Sequence, residues 1–147
     1  MKVEKLVEEN KTSTQTRPKI FSFSYKRTGM GARDDTIIIS FRTGKIIKSK
    51  LHTSRTGSHG VRSYALLPGR YLVYSVTRSN LGNTYITVRV VEVNGEMKVL
   101  QEWKLYEGKE QKMLLTRLPK NIQSLLLNNK NELPLFHYVE DQDLISQ

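Results

Sequence analysis

Hydrophobic and polar positions begin to alternate at Lys19. Phe21, Phe23 and Tyr25 are separated by Ser22 and Ser24, the period-two pattern of a strand with one face buried. The runs DTIIISFR and KIIKSKLH flank Arg42-Thr43-Gly44. A three-residue connection over 43–45 places Ile37, Ile39 and Phe41 on a face shared with Ile47 and Leu51, with Arg42, Lys48 and Lys50 outside. VRSYALLPG reads as a further strand and turn. RYLVYSVTR and TYITVRVVEV, joined across SNLGN, pair Val76 with Ile86, Tyr74 with Val88, Leu72 with Val90 and Arg70 with Glu92. Asn94-Gly95 signals a two-residue hairpin that pairs Val90 with Val99 and Ile86 with Trp103, which makes the single tryptophan a core residue.

After Gly108 the apolar spacing lengthens. KEQKMLLTRL predicts a short helix burying Met113, Leu114 and Leu118; Pro119 interrupts it, and Asn121 is placed to cap a second helix, NIQSLLL. The expected fold is mainly β, with a β-rich α+β character. It is a bent antiparallel sheet or small barrel of six or seven strands, OB-like topology included, with two short C-terminal helices. Residues 1–18 read as a flexible N-terminal arm, 19–107 as a basic β-sheet domain, and 108–147 as short helices and an acidic C-terminal tail. LPLFHYVEDQDLISQ joins an apolar patch to acids, so it is expected to dock on the domain or on a protein partner through residues 131–147.

Charge changes the picture more than length does. The 147-residue chain carries a net charge of +10, and residues 17–91 hold fourteen Lys or Arg against only Asp34 and Asp35. Such a field concentrates polyanions near the protein. No strongly amphipathic basic helix points to a membrane surface, so nucleic acid is the expected partner. There is no cysteine, hence no disulfide, thiolate metal site or cysteine nucleophile. With no run of 18 apolar residues and a polar MKVEKLVEEN start, a soluble cytoplasmic location is expected.

The tripeptide Arg-Thr-Gly occurs three times, at 27–29, 42–44 and 55–57, each where a strand is expected to turn. Glycine permits positive φ, threonine offers a hydroxyl, and arginine presents donors that fit phosphate oxygens. Phosphate contacts are therefore expected from Arg27, Arg33, Arg42, Lys48, Lys50, Arg55, His59 and Arg62. On the second face of the RYLVYSVTR meander, Tyr71, Tyr85 and Arg89 are interleaved with Val73, Lys98, Leu100 and Lys104. That face can stack unpaired bases if open, or lie under a helix if covered. RNA is preferred over DNA on this reading, and a small basic subunit of a ribonucleoprotein assembly is the corresponding role.

Two other classes remain open. His52 and His59 bracket the third basic loop and could act as acid and base in metal-independent RNA cleavage, with Arg55 or Arg62 stabilising the phosphorane; with Asp35 they could instead bind a metal. Alternatively the C-terminal tail makes the chain a protein-interaction adaptor. KRTGMGAR contains only G-x-G, and no phosphate-loop motif occurs, so no nucleotide cofactor is expected.

Overall fold

A computed structural model describes residues 17–26, 34–53, 57–80, 82–107 and 115–139. Strands β1 (Lys19–Lys26), β2 (Asp34–Arg42) and β3 (Lys45–His52) form one antiparallel sheet in the order β1-β2-β3. Strands β4 (Gly57–Leu67), β5 (Arg70–Ser79), β6 (Thr84–Asn94) and β7 (Glu96–Glu107) form a second, in the order β4-β5-β6-β7. The two sheets pack face to face, with β3 running close to β4 at one edge and β1 close to β7 at the other. Among the described residues the sheets do not close into a barrel, and every pairing joins strands consecutive in sequence.

The four-stranded sheet is covered twice. On one face Leu72, Tyr74, Val76, Ile86, Val88 and Leu105 pack against helix α1 (Lys120–Asn128) and the segments beside it, which contribute Leu118, Ile122, Leu126 and Phe136. On the other face Val61, Tyr71, Val73 and Val91 meet Ile37, Ile39 and Phe41 of β2. The surface that could have been an open stacking platform is thus covered, and by a sheet instead of a helix. Phe41 links the layers through an edge-on contact with Tyr71, ring centroids 4.9 Å apart.

The register of β5 against β6 is as the hydrophobic pattern predicts, from Arg70↔Glu92 through Val76↔Ile86. The two neighbouring hairpins differ from expectation because of bulges. In the β2–β3 hairpin the turn has two residues, since Arg42 pairs with Lys45. Its central residues, Thr43 and Gly44, have φ of 52° and 76°, the positive angles of a type I′ turn. Ile46 therefore faces Phe41 in the core, and the extra residue, Ile47, is 48% exposed. Beyond that bulge Ile37 pairs with Leu51 as expected. In the β6–β7 hairpin Asn94 pairs with Glu96 across Gly95, so Val91 pairs with Val99, and a bulge between Val90 and Val91 then sets Val88 opposite Trp103. A second irregularity lets both Leu105 and Tyr106 pack toward the helix.

The C-terminal region also departs from the expected two helices in detail. Residues 108–114, Met113 and Leu114 included, lie outside the described residues, and Leu115–Arg117 forms a single 3₁₀ turn. α1 follows Pro119 with no side-chain cap, so Asn121 stands inside the first turn and does not cap it. Lys130–Glu132 is a second 3₁₀ turn, and residues 136–139 make one helical turn. Leu133, Phe136 and Val139 are buried in the domain's own core, which shows that this stretch docks internally.

Two substitutions check this backbone. Thr43→Asn relieves a β-branched residue from positive φ and should raise stability by about 1 kcal/mol, read as a higher urea midpoint at unchanged slope. Gly57 has φ of 126°, and a Cβ there would stand 1.9 Å from the Arg78 carbonyl oxygen. Gly57→Ala should therefore cost more than about 1 kcal/mol, with β4–β5 pairing disturbed.

Candidate nucleic-acid interface

Because Phe21, Phe23, Ile37, Ile39, Phe41 and Leu51 point inward, the alternate residues of the same strands form the outward face of the three-stranded sheet. The register sets them in rows: Ile20, Ser40 and Lys48; Ser22, Ile38 and Lys50; Ser24, Thr36 and His52. Lys48, Lys50 and His52 are exposed at its edge strand, and Arg42 and Lys45 face each other, both exposed, across the turn. Like charges in direct cross-strand opposition are destabilising in isolation. Neither cation has an ion-pair partner among the described residues. Asp35 is 0% exposed on the inward side, so no carboxylate interrupts the outward face among its described side chains. The result is a surface of hydroxyls and cations interrupted by Ile38 and by Ile20, which is 67% exposed, with Ser24 and Thr36 hydroxyls bonded to each other at 2.8 Å. None of its described side chains is Phe, Tyr or Trp, and His52 is its one aromatic ring.

The residues proposed for base stacking occupy other places. Tyr71 is 7% exposed, and its hydroxyl donates to the Gly44 carbonyl at 3.1 Å, anchoring the β2–β3 turn to β5. Arg89 is 2% exposed. It donates to Ser75 Oγ at 3.1 Å, lies 3.5 Å from Glu102 Oε2, and places its guanidinium carbon 5.8 Å from the Phe23 ring centroid across the interlayer. Both are structural, because the covering sheet removes them from solvent. Tyr85 is half-buried at the start of β6. Arg27, Arg33 and Arg55 lie outside the described residues.

Arg62 and His59 belong to a different surface, a cleft of about 550 Å³ between β3, β4 and residues 131–134. His59 lines it, whereas His52 stands on the outward face of the other sheet, so the two histidines do not share this cleft. Among the described residues no group of three His, Asp or Glu side chains is placed to hold a metal. No helix there is long and apolar enough to cross a membrane.

Sequence reasoning passed over Lys45, which it assigned to the loop, and the hydroxyl row Ser22, Ser24, Thr36 and Ser40. The alternation of FSFSYK already carried Ser22 and Ser24, and that of DTIIISFR carried Thr36 and Ser40. The second and third Arg-Thr-Gly copies now have structural explanations: Gly44 completes a type I′ turn, and Gly57 makes room for the Arg78 carbonyl. No protein-family model matches the sequence, no characterised protein matches it, and no solved structure matches its coordinates.

One titration reports on how residues 131–134 are held against β4. The Tyr64 hydroxyl donates to Glu132 Oε2 at 3.2 Å, and the Tyr74 hydroxyl donates to the Pro134 carbonyl at 2.8 Å. Burial first, and the Glu132 carboxylate second, push the Tyr64 pKa up from 10.0 to about 12. Folding thus favours the neutral phenol, so its stabilisation is complete below pH 10.0 and disappears as pH rises through about 12. A tyrosinate absorbance titration of Glu132→Gln should show one tyrosine ionising earlier than in the parent; an unchanged curve would mean that Glu132 does not act on Tyr64.

Proposed function

We propose that this chain is a non-catalytic nucleic-acid-binding protein, and that it engages RNA in preference to DNA through the outward face of its three-stranded sheet. The observation that carries the reading is the composition of that face: Lys48, Lys50 and His52 beside a hydroxyl row, with Arg42 and Lys45 at the turn. Cations left without carboxylate partners are suited to phosphate oxygens, and hydroxyls can bond phosphate or sugar oxygens. A single strand can lie along such a face. Entry into a DNA major groove needs a projecting helix or ribbon. The only α-helix of eight or more described residues, α1, is committed by Ile122 and Leu126 to the core.

Since the face carries no Phe, Tyr or Trp among its described residues and His52 is its one ring, binding on this reading draws mainly on the backbone and carries little base preference. The role that fits is a small basic subunit of a ribonucleoprotein assembly. Lys48→Ala and Lys50→Ala should each lower the slope of log affinity against log salt for single-stranded RNA by about 0.7, measured by anisotropy. Tyr71→Phe should cost about 1 kcal/mol of stability and leave RNA affinity unchanged. Weak, salt-independent binding to single-stranded RNA, duplex RNA and duplex DNA alike would refute the reading.

A further inference from the structure

The cleft beside the basic face has a different chemistry from that face. Its walls are Ser49 and Lys50 of β3, His59 and Arg62 of β4, and Asn131 and Glu132 from the segment after α1. Gly60 sets its depth, because a Cβ at that position would stand 2.8 Å from Pro134 Cγ; glycine lets residues 131–134 close against β4 and form one wall. At about 550 Å³ the space exceeds what a lone phosphate needs and falls in the range of small-ligand sites.

The cations lie on the strand side, and the carboxylate lies on the opposite wall beside the Asn131 amide. Arg62 commits its Nε to the Glu132 carbonyl at 3.2 Å, which fixes the guanidinium and leaves its terminal nitrogens as donors. Lys50 adds an ammonium, Asn131 an amide and Ser49 a hydroxyl. Glu132 is the one carboxylate of the lining. Its Oε2 already accepts the Tyr64 hydroxyl, which orients the group and leaves Oε1 as an acceptor. Cations for an anionic group and an adjacent carboxylate for hydroxyl donors match a phosphorylated ribose, whose oxygens need donors and whose 2′- and 3′-hydroxyls need an acceptor. No Phe, Tyr or Trp lines the cleft, and the His59 imidazole is its one aromatic ring.

We propose that this cleft is a binding site for a ribonucleotide, held by its phosphate at Lys50 and Arg62 and by its ribose at Glu132. The ligand is either a free mononucleotide or the phosphorylated end of an RNA chain. Lys50 belongs to both the cleft and the outward face, so a chain end bound here continues onto the sheet. The chain-end source rests on the proposed function; the cleft chemistry stands without it.

Calorimetric titration of the full chain with adenosine 5′-monophosphate, its 2′-deoxy form and adenosine tests the site. The ribonucleotide should bind about tenfold or more tighter than adenosine and several-fold tighter than the deoxy form. Arg62→Ala and Asn131→Asp should each weaken it by about tenfold, whereas Lys48→Ala should not. Using both cleft variants guards against loss of the Arg62 contact to Glu132 loosening the wall. Oligoadenylates ending in phosphate or in hydroxyl then separate the sources. A preference for the phosphorylated end identifies the chain end, and equal affinity alongside mononucleotide binding identifies the free ligand. Mononucleotide binding without any RNA affinity would sink the proposed function and keep the cleft. Failure to bind the mononucleotide together with indifference to the RNA end, or binding that survives both cleft variants, would overturn the site.

Discussion

Residues 71–77 of β5 are buried without a break, on both faces of the strand. A strand of that kind cannot stay at a surface, and the rest of the molecule follows from covering it twice. Leu72, Tyr74 and Val76 require one apolar layer; Tyr71 and Val73 require another. The C-terminal segment supplies the first and the N-terminal three-stranded sheet the second. The chain thereby becomes a three-layer arrangement whose middle sheet is internal.

That demand explains why cationic and aromatic residues of the middle sheet are structural. Arg89 projects from β6 into the interlayer, where a bare guanidinium would be costly to bury. Ser75, Glu102 and the Phe23 ring receive it, and the contact to Phe23 joins β6 to the opposite sheet. Tyr71 works in the same way at the other end of the layer, with its ring against Phe41 and its hydroxyl on Gly44. Each holds the three-stranded sheet in place, and so holds its far side toward solvent. The candidate interface is therefore the reverse of a packed surface. The outward placement of its cations depends on apolar residues that alternate with them along the same strands.

The segment after α1 performs a similar double task. Leu133, Phe136 and Val139 close the core on the helix side, while hydrogen bonds from Arg62, Tyr64 and Tyr74 reach Glu132 and Pro134 at its rim. This fastening makes one wall of the cleft.

The sequence by itself determined the strands, the β5–β6 register, the inward set Ile37, Ile39 and Phe41, and the outward placement of Lys48 and Lys50. These follow from period-two alternation, which is a local property of the backbone. It did not determine the turns at 43–44 and 95, because a bulge restores a register that the turn alone would shift, and the same apolar pattern accommodates either solution. Nor did it decide the roles of Tyr71 and Arg89. Alternation says that two side chains share a face, and says nothing about what comes to lie against it. Only the folding of a second sheet onto the first, through contacts between residues far apart in the chain, converted an apparent binding surface into core and left the outer sheet exposed.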